Sequence, residues 1–219
     1  MGMAFKGMNQ HIMPEHQLGR RNFIGAVAVV GTAGTVLGAS ALMGAGAPNP
    51  GPFPRLNHAR FMRAAIEQAK KVSKMPFGAV IVDGTSAQIV AAGHNRSQEN
   101  PTFHGEMDAI NQCAAARPQT DWPKLALYTT AEPCPMCQSA IEWAGVAMTV
   151  YGTSIPFLQR LGWWQIDIRA HEVVRRTPFR RTALLGGVLE QECNALFLVA
   201  LSRAQRALTR NPKRRPETS

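Results

Sequence analysis

Two short motifs constrain the fold and the chemistry of this chain more than any other feature. The first is His104-Gly105-Glu106, and the second, about thirty residues later, is Pro133-Cys134-Pro135-Met136-Cys137. One histidine and two cysteines can hold a zinc ion in tetrahedral geometry and leave the fourth position to water. Zinc lowers the pKa of that water to about 7–9, which makes hydroxide available near neutral pH. Glu106 can take the proton from the water and pass it to a ring nitrogen and then to a leaving amine. We therefore expect one zinc ion per chain, held by His104, Cys134 and Cys137, and hydrolytic deamination of an aminated aromatic ring with Glu106 as the proton shuttle.

The Cys134–Cys137 unit also has other interpretations. Cysteines three residues apart at a helix start project on the same side, and Pro135 suits the first helical turn because its missing N–H would be unpaired there. The same unit occurs in structural zinc knuckles and in redox-active pairs. A structural site usually needs a fourth protein ligand, and the remaining Cys113 and Cys193 have no partner at knuckle spacing. Glu106 favours the catalytic interpretation, since a zinc-stabilised module that only binds a partner has no use for it.

The first 47 residues have the pattern of an export signal. Arg20-Arg21-Asn22-Phe23 precedes an uncharged run, rich in glycine, alanine and valine, that ends at Ala47. Residues 1–47 therefore resemble a cleaved twin-arginine signal, which predicts a periplasmic protein that meets a membrane only during export. The alternative is a retained membrane anchor over residues 23–47, because the run exceeds about 18 residues.

Three further segments follow the export signal. Four prolines predict a linker over residues 48–54. The folded domain that carries both motifs is predicted over 55–208, and a basic tail over 209–219. The net charge of +10 fits an acidic partner such as nucleic acid and equally a solvated surface. We expect the tail to be solvated, and nucleic-acid binding by it is the less favoured alternative.

Helix and strand patterns alternate along the domain. Apolar residues at helical spacing predict helices over 56–72, 103–115, 134–143, 155–161 and 188–208. Short runs rich in β-branched or aromatic residues predict strands over 77–82, 88–92, 125–130, 146–151 and 171–174. This alternation predicts α/β layers and places both metal motifs at the start of helices.

The residues around the motifs resemble the cytidine/deoxycytidylate deaminase superfamily. The similarity runs from about Met75 to Ile155, through the blocks 76–82, Gly93-His94-Asn95, 101–106 and 127–137. The chain is most similar to the branch of guanine deaminases, cytosine deaminases and transfer-RNA adenosine deaminases. The resemblance implies a three-layer α/β/α sandwich with a central five-stranded mixed sheet, and a homodimer. It also implies that Asn95 hydrogen-bonds the substrate and that peptide groups near Ala131 and Pro133 line the substrate ring.

The substrate depends on the segment after Tyr151. The sequence from Glu132 to Cys137 is similar to that of guanine deaminases, whereas residues 161–167 depart from their pattern. Asp167 is a candidate for contacting the base, and Trp163 and Trp164 can stack on a flat ring or serve as core or dimer-contact aromatics. We rank a free purine base first, with guanine favoured, cytosine-like bases second and transfer RNA third, because an exported enzyme is remote from transfer RNA.

Overall fold

The computed structural model describes residues 51–210, with side chains up to residue 206. The predicted export signal, the first three linker residues and the end of the basic tail lie outside this range. The helices are α1 (His58–Lys70), α2 (Gly105–Ala116), α3 (Pro135–Ala144), α4 (Ile155–Arg160), α5 (Ala170–Arg176) and α6 (Glu190–Arg210). The strands are β1 (Gly78–Asp83), β2 (Ile89–His94), β3 (Leu125–Ala131), β4 (Met148–Thr153) and β5 (Ala183–Leu185). Within residues 51–210, none of the helices has the length and apolar character needed to cross a bilayer.

The strands form one mixed sheet in the order β2-β1-β3-β4-β5. β1 runs antiparallel to β2 and to β3, while β3, β4 and β5 are parallel. The tight connection between β1 and β2 is stabilised by the Asp83 carboxylate, which accepts hydrogen bonds from the backbone N–H groups of Thr85 and Ser86. The parallel strands are joined by helical crossovers, as parallel pairing requires.

Helices cover both faces of the sheet. Alternate residues of β1 point to opposite sides, so Val80 and Val82 pack in the cluster with α1, while Ala79 and Ile81 pack in the cluster with α2 and α3. Every residue of β3 is buried, as expected of a central strand covered on both faces. The predicted three-layer α/β/α sandwich with a five-stranded mixed sheet is therefore confirmed.

Gly93, in β2, brings the metal-bearing helix close to the sheet. A Cβ atom at this position would overlap the backbone of Ala109 and the carbonyl of Gly105 in α2. The missing side chain thus lets the first turns of α2 lie directly on β2. This contact places His104 and Glu106 beside the carboxyl end of β3, where the second motif begins.

The prediction of the last strand was wrong. Residues 171–174 belong to α5, and the fifth strand is the three-residue β5, which pairs with β4 through Met148 opposite Ala183. The start of α5 is held by two glutamates: the Arg169 N–H donates to Glu172 and the Ala170 N–H donates to Glu132. Glu132 lies 38 residues before Ala170. The start of α5 therefore depends on a tertiary contact, which the sequence pattern around residue 170 cannot indicate. The other predicted elements are present with ends shifted by a few residues.

Candidate metal centre and active site

Two helix starts bring the candidate ligands together. His104 is the residue that precedes α2, and Cys134 is the residue that precedes α3. Both have extended backbone, with φ −67° and ψ 165° at His104 and φ −63° and ψ 165° at Cys134. Neither side chain caps its own helix, so both remain available to bind a metal ion. The free N–H groups at a helix start also favour the thiolate form of cysteine.

The distances between the ligand atoms fit a tetrahedral zinc ion. His104 Nδ1 lies 3.6 Å from Cys134 Sγ and 3.6 Å from Cys137 Sγ. Two ligands bound at about 2.05 Å (nitrogen) and 2.3 Å (sulfur) with a tetrahedral angle between them lie about 3.6 Å apart. All three ligand atoms lie within 4.8 Å of one another, and no fourth histidine, cysteine or carboxylate of the described residues joins the group. The donor set therefore fits zinc with one position left open, which is the pattern of a catalytic site.

The ligand side chains influence one another's protonation. A hydrogen bond from Cys137 and a second from His104 lower the pKa of the Cys134 thiol to about 4, against the opposing effect of burial. The hydrogen bond to Cys134 raises the pKa of His104, and the same thiolate together with burial raises the pKa of Cys137. A cation that binds here replaces these shared protons, so metal binding releases protons from the site.

Glu106 is buried next to the ligands. Its side chain lies in the second position of α2, and the residue is 4% exposed. Its Oε1 accepts a hydrogen bond of 2.9 Å from the Thr129 hydroxyl of β3, which fixes the carboxylate. Burial raises the pKa of Glu106, and the Cys134 charge raises it further. A raised carboxyl pKa suits a group that must both accept and donate a proton near neutral pH.

A cavity of about 410 Å³ opens beside the ligands and Glu106. It is lined by Met75, Phe77, Asn95, Pro101, His104, Glu106, Glu132, Cys134, Met136, Trp164, Gln165 and Ile166. Ligand pockets of about 300–1,000 Å³ with largely apolar walls and a few polar groups are typical small-molecule sites. This cavity has that size and composition.

Asn95 presents a hydrogen-bond donor to the cavity. Its Oδ1 accepts from the Ser97 backbone N–H at 3.1 Å and from the Ser97 hydroxyl at 2.8 Å. A backbone N–H can only donate, so the orientation of the amide is fixed and Nδ2 is the group left over. The position of Asn95 is itself held by its N–H bond to the Phe77 carbonyl. The structure thus places this predicted substrate residue in the cavity wall.

The other predicted substrate residues divide between the cavity and the core. Trp164 lines the cavity and is 50% exposed. Trp163 is 2% exposed and packs edge-on against Phe77 and Phe197, so the stacking prediction for Trp163 was wrong and the core alternative holds. Asp167 is exposed, accepts a hydrogen bond from Gln159 and is not among the residues that line the cavity.

Ala131 and Pro133 flank the cavity without lining it. Both are buried, and Ala131 belongs to the apolar cluster that contains Leu158 and Trp163. The intervening Glu132 and the following Cys134 are the residues of this stretch that reach the cavity. The alternation along an extended segment explains the difference, because successive side chains point to opposite sides.

Sequence reasoning missed Glu132 and Gln165 as cavity residues. Glu132 directly precedes the cysteine motif, and at 2% exposure it is a buried charged residue; the largely apolar strand before it, 125–131, is the one local signal that indicates this burial. Gln165 follows two tryptophans in an irregular segment, and no local signal distinguishes it from its neighbours. The remaining cavity residues are apolar side chains from four segments of the chain: Met75, Phe77, Pro101, Met136 and Ile166.

Comparison with known proteins identifies the family. Residues 56–153 match a model described as the cytidine and deoxycytidylate deaminase zinc-binding region. A probable cytosine deaminase of Schizosaccharomyces pombe is 36% identical over 97 residues, which are 43% of this chain and 59% of that protein. A tRNA-specific adenosine deaminase of Buchnera aphidicola is 30% identical over 155 residues, which are 68% of this chain and 91% of that protein.

A solved structure shows the same fold. The guanine deaminase of Nitrosomonas europaea superimposes with a TM-score of 0.58 at 23% identity, covering 66% of this chain and 84% of that one. Together with the family match over the ligand residues and Glu106, this similarity identifies the chain as a member of the cytidine and deoxycytidylate deaminase family of zinc-binding hydrolases that act on C–N bonds.

Proposed function

We propose that this protein hydrolytically deaminates a free nucleobase or nucleoside, with guanine as the favoured substrate. The observation that carries the proposal is the cavity of about 410 Å³ in which Glu106, the His104 and Cys134 ligands and Asn95 meet. A planar aminated ring can enter such a cavity with its amine-bearing carbon toward the ligands. The apolar side chains of Met75 and Phe77 then exclude water from the ring faces.

Each polar group has a separate role in this reaction. Zinc, held by His104, Cys134 and Cys137, supplies a Lewis acid that lowers the pKa of water. Glu106 accepts the proton of the attacking water and delivers it to the ring nitrogen and then to the departing amine, which leaves as ammonia. Thr129 holds Glu106 through its hydroxyl, and the Asn95 amide donates to an acceptor on the ring.

We rank guanine first among the candidate substrates because of two features of the chain. The stretch from Glu132 to Cys137 is similar to the guanine deaminase pattern, and Asn95 offers a donor that suits a ring carbonyl. Cytosine also has a ring carbonyl and is the next candidate, and a probable cytosine deaminase is among the relatives. The guanine deaminase of Nitrosomonas europaea has the same fold at 23% identity. This similarity supports the fold of the pocket, and the substrate panel below tests which base is deaminated.

Deamination of adenosine in transfer RNA is the second candidate function. Relatives over two thirds of the chain are tRNA-specific adenosine deaminases. The surface also carries a cationic face that suits RNA, which we call the arginine–aromatic face. It consists of Trp143 and Phe179, whose ring centroids lie 5.0 Å apart, and of the exposed Arg175, Arg176, Arg180 and Arg181, which precede and follow Phe179 in the chain. Exposed arginines and aromatic rings bind phosphates and stack on bases.

A substrate panel distinguishes these functions. The purified holoenzyme should be assayed for ammonia release from guanine, cytosine, isocytosine, adenine and their nucleosides, and for inosine formation in transfer RNA. We expect turnover of guanine at the highest kcat/KM. Turnover confined to transfer RNA would replace the first function with the second, and activity on no substrate would favour a non-catalytic zinc-stabilised module.

We propose a homodimer as the assembly, with the Trp143–Phe179 pair at the subunit contact, where it cannot also stack on RNA. Trp143 is 80% exposed at the end of α3 and contacts Phe179, so two large rings lie together at the surface. Large exposed apolar side chains in a group mark interaction surfaces. Analytical ultracentrifugation of the wild type and of Trp143→Ser tests this: we expect a dimer that the substitution weakens, and a monomeric wild type would refute it.

We propose export through the twin-arginine pathway, with the mature protein in the periplasm. The support is the sequence pattern of residues 1–47. That pathway carries folded proteins, so zinc can be bound in the reducing cytoplasm before the thiolates meet an oxidising compartment. N-terminal sequencing of the protein from a periplasmic fraction should begin near Pro48. Protein that begins at Met1 or Gly2 and sediments with membranes would support the anchor over residues 23–47 instead.

A further inference from the structure

The segment 161–168 forms one wall of the cavity and is held at several points. Trp163 fixes the middle of the segment: the residue is 2% exposed, its ring packs against Phe77 and Phe197, and its backbone N–H donates to the Leu158 carbonyl. Beyond the cavity, the Asp167 carboxylate accepts a hydrogen bond of 3.2 Å from Gln159. The residues between these anchors, Trp164, Gln165 and Ile166, are the ones that line the cavity.

Glu132 ties the flanks of this segment to the metal centre. Its Oε2 accepts from the Ile155 N–H at 3.0 Å, and its Oε1 accepts from the Ala170 N–H at 3.0 Å. Both oxygens also accept from Arg169 Nε at 2.8 Å. The starts of α4 and α5 are thus joined to one buried carboxylate two residues before Cys134. The wall is held in place by packing and hydrogen bonds, so little reorganisation is needed when a ring binds.

Most polar groups of the cavity are already engaged. Glu132 has four hydrogen bonds within the protein, His104 and Cys134 are ligands, and Glu106 is occupied with proton transfer. Gln165 is different: within residues 51–210 its side-chain amide makes no hydrogen bond, although it lines the cavity and is only partly exposed. Asn95 Nδ2 and the Gln165 amide are therefore the groups left to recognise the substrate.

We propose that Gln165 determines specificity by binding the lactam edge of the substrate ring, the adjacent N–H and C=O groups. A glutamine amide has one acceptor and a donor side by side, which match an N–H and a C=O in a pair of hydrogen bonds. Guanine carries this edge at N1 and C6 and isocytosine at N3 and C4, in both cases next to the carbon that bears the amine, whereas in cytosine the edge, N1 and C2, lies across the ring from that carbon. This inference rests on the proposed function, because it concerns recognition in the same cavity.

Adenine lacks the lactam edge. It has no ring carbonyl, so the acceptors that it can offer to Asn95 Nδ2 and Gln165 are ring nitrogens, which do not occupy the position of the lactam C=O. A site built to hydrogen-bond a polar group discriminates strongly against a ligand without that group, since its own buried polar atoms are left unpaired. Gln165 and Asn95 together thus favour guanine and isocytosine over adenine.

The test is a pair of substitutions at Gln165 with a matched control. Gln165→Leu removes both hydrogen-bonding groups at nearly constant volume, and Gln165→Glu keeps the shape while it removes the donor. Gln191→Leu makes the same chemical change at an exposed position of α6. All variants should hold one zinc ion per chain and unfold at the same temperature as the wild type.

The expected result is a loss that depends on the substrate. The kcat/KM for guanine should fall about 10- to 100-fold in Gln165→Leu and Gln165→Glu, while the low value for adenine changes by less than about threefold. Gln191→Leu should match the wild type for both bases. A fall of equal size for guanine and adenine would assign Gln165 to packing and overturn the proposal, as would a wild type that prefers adenine.

A binding measurement separates this proposal from the proposed function. Calorimetric titration of guanine into Glu106→Gln, with and without Gln165→Leu, measures recognition without turnover. We expect Gln165→Leu to weaken guanine binding by about tenfold or more. If the wild type is inactive on every base but this weakening is seen, the catalytic proposal fails and the recognition proposal stands. Equal binding by both proteins, or no binding of guanine, overturns the role of Gln165.

Discussion

The hydrogen bond from Thr129 to Glu106 provides a sensitive test of the catalytic geometry. The Thr129 hydroxyl donates to Glu106 Oε1 at 2.9 Å, and both residues are buried. Thr129→Val keeps the shape of the side chain and removes the donor. A hydrogen bond to a charged group contributes about 1.5–3 kcal/mol, and about 1.4 kcal/mol corresponds to a tenfold change in rate. We therefore expect kcat/KM near pH 7 to fall by about one to two orders of magnitude.

Thr129→Val should also shift the pH dependence of kcat/KM in one direction. The Thr129 hydrogen bond lowers the pKa of Glu106, against the dominant effect of burial, which raises it. Removal of the bond moves the pKa further up, so the carboxylate needed to accept the water proton forms only at higher pH. The acidic limb of the kcat/KM profile should shift toward higher pH in Thr129→Val. The profile can be measured by coupled detection of ammonia between pH 5 and pH 9.

Thr149 offers the matched control. It is fully buried in β4, and its hydroxyl has no hydrogen-bond partner among the described residues. Thr149→Val makes the same substitution without breaking a bond, so activity and the pH profile should stay at the wild-type level. Thr129→Val with an unshifted acidic limb and kcat/KM within twofold of Thr149→Val would refute the assignment of Glu106 as a base held by Thr129.

Three further predictions follow from the ligand set and the buried charges. Cys134→Ala should lose zinc and melt at a lower temperature. The control Cys113→Ala, which changes a buried cysteine outside the ligand set, should keep one zinc ion per chain by metal analysis. Full zinc occupancy in Cys134→Ala would mean that the ligands are misassigned. Glu132→Gln breaks an ion pair whose carboxylate is 1% exposed, and it should lower the free energy of unfolding by about 3 kcal/mol in urea titrations. Glu99→Gln, at an exposed ion pair, should change the free energy of unfolding little. Equal effects of the two substitutions would contradict the anchoring role of Glu132. Burial lowers the pKa of His58 from 6.5, so the unfolded chain takes up a proton first and stability should fall as the pH drops below about 6.5. His58→Gln should flatten this dependence of the melting temperature on pH, and an unchanged slope would contradict a lowered pKa of the half-buried His58.

Local sequence signals were sufficient for the metal centre. Pro135 at the first position of α3 and the ligands at two helix starts follow from the residues themselves, and the structure places His104 Nδ1 3.6 Å from both sulfur atoms. The alternation of strands and helices likewise predicted the layers, because the longer elements, such as α1, α2 and β3, show their period in the sequence.

The cavity wall after Tyr151 could not be predicted in the same way. Whether Trp163 or Trp164 faces the cavity depends on the path of an irregular segment, and that path is fixed by Glu132 through contacts 23 and 38 residues away along the chain. The same contacts determine where α5 begins. β5 has only three residues, too few for a strand pattern to appear, and its place is set by pairing with β4.

Ammonia release by Glu106→Gln tests the central claim most directly. This change keeps the size of the buried side chain and the acceptor for Thr129 while it removes the group that moves the proton. With guanine, or with the best substrate of the panel, we predict that kcat falls about 10²- to 10⁴-fold, while one zinc ion per chain and the melting temperature are retained. Turnover at the wild-type rate in a zinc-loaded, folded Glu106→Gln protein would contradict the account.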